Sequence, residues 1–598
     1  MKTFISFIRL ITGKRFYLPF DRKASFVVRS FSLREKTIFY TAVVLLFATV
    51  ALQIFYVNKA FMTEVPAKGG SLTEGVIGLP RFINPLLATS DADRDLTALI
   101  YSGLMRATEY GTLEYDLAET YEISEDGLVY TFTLKEDVTW SDGKPITSDD
   151  IIYTISRAQD SILKSPRRAS WEGVTVEKID DKNITFTLKQ PYAPFLENTT
   201  IGILPLHIWR EIDPEQFSFS KYNIEPIGSG PYKIKTIKKD DAGIPKYYDL
   251  VPFKDFALGE AYISELRIQF YSNTEDLLKA FSSGEIESIN SVAPEVAATL
   301  VEKENNILQS PLPRVFGVFL NQNQANLFAD KVVRRALNMA LDKDEIVSKV
   351  LRGYATVIDG PIPPGALGYT PRTAREAENT GTSTPLTSTE LARELLEKNG
   401  WKMDEETGVL TKETKDETIR LTFSLSTSDV PELKEVVEMI RDKWEAIGAQ
   451  VDLRIFEAGA LNQNVIRPRK YDALFFGEVV GRNSDLFAFW HSSQRLDPGL
   501  NIALYANITA DALLEEARTI SDPVIRAEKY QEFAEEVAND IPAFFIYSPD
   551  FIYILPTQIQ GVELQGTSLP SERFLHVFNW YKETDRVWSI FNKDTTRK

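Results

Sequence analysis

The 598-residue chain contains three histidines, His207, His491 and His576, and no cysteine. Disulfides, thiolate metal sites, cysteine nucleophiles and thioether-linked lipids are excluded, and a histidine-rich metal centre is not expected. The sequence has no H-E-x-x-H, G-x-S-x-G or Walker-type loop, so hydrolase and nucleotide-hydrolysing readings lack their usual groups. Gly228-Ser229-Gly230-Pro231 looks like a phosphate loop but lacks the following Lys-Ser/Thr, and reads as a turn. Asp and Glu number 85, too many for any two to stand out as an acid–base pair. In residues 489–493 (FWHSS), Trp490 can stack on a ligand or pack in the core, and His491 can touch a ligand or serve as a structural ring. Asn321, closing residues 315–320 (VFGVFL), can hydrogen-bond a ligand main chain. Tyr101 and Asn84 are further candidates. His207 and His576 read as structural.

The elements that must carry these groups begin with a charge asymmetry. Residues 1–36 hold nine Lys/Arg and two acids, net +7; the chain totals −18, so the remainder carries −25. Such an acidic body argues against a nucleic-acid binder. Residues 38–57 carry no charge and, at about 1.5 Å per residue, reach about 30 Å, enough to span a bilayer. A basic flank before the span places the N-terminus in the cytoplasm and the remaining 541 residues outside. A cleaved signal peptide is the competing reading, but its apolar region would be shorter and would end in small residues. The basic segment, with Phe4, Phe7, Phe16, Phe20, Phe26 and Phe31, either lies on the anionic inner leaflet or forms a disordered tail.

Residues 65–71 (VPAKGGS) read as a Pro/Gly linker. Residues 130–134 and 184–188 alternate as strands. Thr147 with Asp150 forms a helix-start signal after the turn at residues 141–145. Residues 330–351 read as one helical stretch, residues 376–390 as a surface loop, and residues 391–398 as a helix stopped at Asn399-Gly400. Residues 419–425, 432–447 and 450–456 give strand, helix, strand, which implies an α/β layer. Residues 512–518 and 527–539 are late helices, and residues 543–547 (AFFIY) a buried strand.

Several segments, in order, resemble the family 5 extracellular solute-binding proteins of ABC importers, the dipeptide- and oligopeptide-binding group. They are residues 81–86 (RFINPL) with 93–106 (DRDLTALIYSGLMR), 138–151 (VTWSDGKPITSDDI), and 204–209 (LPLHIW) with 226–232 (PIGSGPY). Asn321 with residues 332–346 (VVRRALNMALDKDEI), and residues 489–494 (FWHSSQ) with 499–507 (GLNIALYAN), complete the set. The resemblance spans about residues 70–580 and implies an α/β, two-lobed periplasmic-binding-protein-like clamp with an extra inserted domain, preceded by one transmembrane helix. Residues 1–36 would be a cytoplasmic segment, 38–57 an anchor and 58–69 a linker. Residues 70–110, 206–310 and 546–598 would build domain I, 111–205 domain II and 311–545 domain III. Ligand would lie between the lobes, held in part by main-chain pairing that tolerates many side chains.

The resemblance also assigns further residues. The family branch carries an Asp-Pro-Asp-Pro-like stretch before FWHS; here it reads Asn483-Ser484-Asp485-Leu486. Asp485 would either hold the ligand ammonium or cap the helix after it, and Asn483 stands where the first acid would be. Glu478 follows Gly477 where the family often has Trp; it would favour a cationic ligand or face solvent. The implied function is a membrane-anchored subunit that captures peptides and passes them to ABC permease subunits, with no cofactor, no metal and no catalysis. The alternative is a cell-surface peptide sensor or scaffold on the same fold.

Overall fold

The computed structural model describes residues 31–108, 112–300, 305–366, 387–415, 417–481 and 485–588. The chain forms two compact units, Met1–Ala67 with Thr584–Lys598, and Lys68–Glu583.

In the first unit the apolar run lies inside a 29-residue helix, Leu33–Phe61. Ser32 starts it with a capping box: its hydroxyl accepts from the Glu35 amide, and the Glu35 carboxylate accepts from the Ser32 amide. Thr37, Thr41 and Thr49 turn their hydroxyls back onto carbonyls of the preceding turn, which satisfies these three groups inside the helix. No residue of this helix is buried. It is long and apolar enough to cross a membrane. The strand Met62–Ala67 follows and pairs with Glu583–Trp588. Gly69–Ile77 is a strand too, so the stretch read as a linker from Val65 is largely paired backbone. Its partners come from distant parts of the chain, which local composition does not report.

The second unit is built on a 12-stranded sheet. Its order is Gln450–Phe456, Thr422–Ser428, Ala473–Val479, Arg314–Leu320, Ala543–Pro556, Ser288–Asn290, Gly69–Ile77, Ile263–Tyr271, Pro245–Pro252 and Tyr232–Lys239, with Asn305–Pro311 and Ala355–Val357 also on Ala543–Pro556. The expected strand at residues 543–547 thus extends to 14 residues. Its first half pairs with Arg314–Leu320 and its second with Asn305–Pro311. The strand–helix–strand unit is present: Thr422–Ser428 and Gln450–Phe456 pair in parallel across the helix Pro431–Ala446. A separate four-stranded sheet contains Val129–Leu134 and Asn183–Thr187, with Tyr130, Phe132 and Leu134 facing inward.

The helix Ser148–Gln159 begins at the expected Thr147/Asp150 box. The stretch at 330–351 is two helices, Lys331–Met339 and Lys343–Lys349, because the Asp342 carboxylate accepts from the Glu345 amide and starts a second helix there. Of the expected loop, residues 376–386 lie outside the described residues. Thr387 and Glu390 form a capping box that starts the helix Ser388–Lys398 three residues earlier than expected.

The side chains collect in separate cores. One, around Leu72, Leu96, Trp140, Trp209, Leu266 and Tyr553, draws on residues 72–270, Leu312 and residues 551–580. Two others, around Phe328, Trp444 and Phe544, and around Phe319, Trp490 and Phe533, draw on residues 315–547. The long strand feeds both sides. At the crossing Leu312 donates its amide to the Pro549 carbonyl at 2.9 Å and accepts from the Ser548 hydroxyl at 2.6 Å.

Candidate functional site

On the first lobe the helix Asp91–Ile100 presents Arg94, Thr97, Ala98 and then Tyr101 at helical spacing. The Gly228–Pro231 turn fixes the end of this helix. Gly230 donates its amide to the Ile100 carbonyl at 2.8 Å, and a Cβ on Gly228 would stand 1.9 Å from that same oxygen. The segment bends at Gly230–Pro231 without a hydrogen bond of its own, and close packing on Ile100 is why positions 228 and 230 are both glycine.

These helix residues line a cavity of about 200 Å³, closed by Arg106, Asp116, Arg167, Ser170, Asn198, Ser571 and Glu572 among others. Three buried polar atoms of residues that line it, Arg94 Nε, Tyr101 Oη and Asp116 Oδ1, have no hydrogen-bond partner among the described residues. Burial raises the Tyr101 phenol well above its ordinary range, so it is a neutral hydroxyl. Loss of solvent and then the nearby Arg94 charge lower the pKa of Arg167, while Glu572 offsets this. Arg106 is already spoken for: it donates to Asp116 at 2.6 Å and to the Leu575 carbonyl at 2.7 Å. Of the cavity wall only Tyr101 was singled out by sequence. The helical spacing of Arg94, Thr97 and Tyr101 was the signal that could have found the rest of that face.

Asn84 lies in the same lobe but is wholly buried. Its Nδ2 donates to Asn223 Oδ1 at 3.1 Å and its Oδ1 accepts from the Leu86 amide at 2.9 Å, so it shapes the turn before the helix.

The other candidates gather in the second lobe. Asn321 spends its side chain on the main chain, donating to the Arg469 carbonyl at 2.9 Å and accepting from the amides of Asn323 and Gln324. Trp490 is 0 % exposed among Phe319, Tyr505, Phe533 and Phe545. The core reading of this residue is the one the geometry supports. Glu478 is 4 % exposed, neither on the surface nor facing water. Neither carboxyl oxygen has a partner among the described residues. Burial pushes its pKa well above the usual carboxylate range. His491 stacks on Phe487 at 4.0 Å, with Nδ1 2.7 Å from the Ser493 hydroxyl and Nε2 3.3 Å from Glu515. Asn483 lies outside the described residues.

Asp485 does two things. Its carboxylate accepts from the Phe487 amide at 3.2 Å, close to the capping role, and it pairs with Arg518 at 3.1 Å. The Arg518 guanidinium lies over the rings of Phe487 and Tyr192 at 4.3 and 5.6 Å. The Ala193 amide donates to the Arg518 carbonyl at 2.9 Å. Tyr192 packs on the first core and Phe487 on the third, so this cluster joins the two cores. Burial, and next the Asp485 charge, push the Tyr192 phenol up to about 12.

The geometry offers polar binding groups beside both sets of cores. Residues 112–495 match the bacterial extracellular solute-binding proteins, family 5, in its middle region. The chain belongs to this family. Family 5 proteins are solute binders rather than enzymes, and their periplasmic-binding-protein-like fold is the one described above. Among relatives, the oligopeptide-binding protein AppA of Bacillus subtilis (strain 168) is 29 % identical over 523 residues, covering 86 % of this chain and 92 % of AppA. The structure of AppA with a nonapeptide superposes with a TM-score of 0.61 at 27 % identity, covering 86 % of this chain and 99 % of that one. The ABC transporter substrate-binding protein CtaP of Listeria monocytogenes gives a TM-score of 0.70 at 25 % identity, covering 86 % and 100 %.

Proposed function

We propose that this family 5 protein is a membrane-anchored subunit that captures di- or oligopeptides outside the cell and delivers them to the permease of an ABC importer. The observation that carries the ligand class is the set of unpartnered buried atoms on residues that line one cavity: Arg94 Nε, a donor; Tyr101 Oη, a donor or acceptor; and Asp116 Oδ1, an acceptor. A peptide main chain presents both a carbonyl and an N–H, and a terminal carboxylate suits Arg94 and Arg167. Peptide-binding relatives support the same class. Asp485 and His491, on the second lobe beside the Tyr192–Arg518 contact, would meet the far side of the guest, and closure would follow from tighter binding to the closed form. The helix Leu33–Phe61 would hold the clamp at the membrane with its N-terminus in the cytoplasm, raising its effective concentration near the permease.

Calorimetry of the full chain in detergent against a peptide library tests this. Saturable binding that weakens in Tyr101→Phe and Arg94→Ala is expected. Saturable binding untouched by both substitutions would move the site elsewhere, and no saturable binding to any peptide would refute the ligand class.

A further inference from the structure

The C-terminal strand ends where the apolar helix ends. Trp588 donates its indole N–H to Asn58 Oδ1 at 2.7 Å and stacks on Phe61, with ring centroids 6.3 Å apart and planes 18° from parallel. Arg586 pairs with Glu64 at 2.9 Å, and the Thr63 hydroxyl donates to the Val587 carbonyl. Thus residues more than 500 positions apart are joined at the helix exit by a ring stack, an indole hydrogen bond and an ion pair. The aromatic side chains here are left open: Phe55 and Tyr56 are each 63 % exposed, Phe61 53 % and Trp588 39 %. Lys59 stands in the last turn.

A helix of 29 residues is about 43 Å long, which exceeds the roughly 30 Å apolar slab by enough to carry its last turns into the headgroup layer. Tryptophan and tyrosine rings with an apolar body and a polar edge settle in that layer, and basic side chains beside them reach the phosphates. We infer that the ribbon of Met62–Ala67 and Glu583–Trp588 is a lipid-binding surface, with Trp588 and Phe61 seated at the acyl–headgroup boundary. The C-terminal strand is then a second membrane contact, so the binding region is held to the bilayer at both of its ends. This rests on the anchor reading above.

The chain reports on this by itself. Of its eight tryptophans, the other seven are 2 % exposed or less, which leaves Trp588 as the one open to an external quencher. The full chain is reconstituted into phosphatidylcholine–phosphatidylglycerol vesicles and floated on a density gradient. Flotation that survives carbonate extraction is expected. Lipids brominated in the upper acyl chain should then quench its emission, and Trp588→Phe should abolish most of that quenching while its circular-dichroism melt stays unchanged. Phe61→Ser, which removes the stacking partner, should shift the emission maximum of the wild-type Trp588 to the red. A floating protein whose emission is quenched equally in wild type and Trp588→Phe overturns the ribbon and leaves the anchor standing. A protein that does not float overturns both.

Discussion

Arg573 Nη2 lies 2.5 Å from Glu74 Oε1, and both side chains are wholly withdrawn from water. The same guanidinium reaches Asp95 at 2.6 Å, and the Tyr553 hydroxyl donates to Glu74 at 2.6 Å. One buried cation from the C-terminal segment therefore compensates two buried acids, Glu74 from the strand Gly69–Ile77 and Asp95 from the helix Asp91–Ile100. Burial still pushes Asp95 up to about 6, against the pull of Arg573. Removing the cation leaves Glu74 and Asp95 buried together without a counter-charge. Arg573→Ala is expected to cost about 3–5 kcal/mol, read as a lowered urea midpoint. A loss under 1 kcal/mol would mean that water enters and screens the acids.

The buried Glu478 carboxyl yields a prediction with the opposite sign. Its pKa is raised by burial, so the proton is held more tightly folded than unfolded. Its stabilising contribution is full below the ordinary carboxylate range and is lost as pH rises through the raised value. Glu478→Gln keeps the shape and removes the titration. Melting at pH 4 should match wild type, and at pH 8 the variant should be the more stable. Affinity for a Lys-containing peptide should not change, because a side chain 4 % exposed does not face a guest. A weakened Lys-peptide with an intact Glu-peptide would restore the reading of Glu478 as a ligand group.

At the lobe crossing Asp550 is pushed up to about 6 by burial, and its Oδ1 has no partner among the described residues. Its register partner is Pro311, which has no N–H to offer. Here too stability falls as pH rises from about 4 through about 6. Because the group is partly open to water, Asp550→Asn should recover about 1 kcal/mol at pH 7.5 and nothing at pH 3.5. Parallel pH–stability curves for the two proteins would remove Asp550 as the cause.

What the sequence disclosed and what it withheld divide along the range of the interaction. The Thr147/Asp150 box, the parallel strand pair around residues 431–446 and the apolar helix are written in neighbouring residues, and all three are present. Asn507 starts the helix Ile508–Thr519 four residues before the apolar periodicity does, because the capping side chain precedes the pattern. The Glu74–Arg573 pair joins residues 499 positions apart, and nothing local announces it. The site behaves likewise. Tyr101 could be named from its segment, but Arg167, Ser571 and Glu572 reach the same cavity from separate stretches of chain. Glu478 was legible as an acid and illegible as a buried one, because burial is decided by Trp490 and the core around it.

Gly228 offers a test of close packing. Any Cβ there would strike the Ile100 carbonyl, an atom of the backbone that cannot swing aside. Gly228→Ala should cost at least about 1–3 kcal/mol, as overpacking does. Since the turn holds the end of the helix that carries Tyr101, peptide affinity should fall with it. Equal stability and equal affinity would show that the turn yields freely.

The charge of the chain after residue 36, −25, should speed cationic guests toward the binding lobes. Stopped-flow association of matched Lys- and Glu-containing peptides should differ at low salt and converge at about 0.5 M, where the Debye length is shorter than a side chain. Equal rates at low salt would exclude long-range steering.

Arg518 offers a handle on closure itself. It ties Tyr192 and Ala193, beside the first core, to Asp485 and Phe487, beside the third, through a ring contact, an ion pair and its own carbonyl. Arg518→Ala keeps the carbonyl bond but removes the side-chain ties, so the open form should gain population. Small-angle scattering of the peptide-free variant should give a larger radius of gyration than wild type, and saturating peptide should bring the two together. A radius unchanged by the substitution, with and without peptide, would mean that the Tyr192–Arg518 contact is a permanent joint and that any closing motion hinges elsewhere.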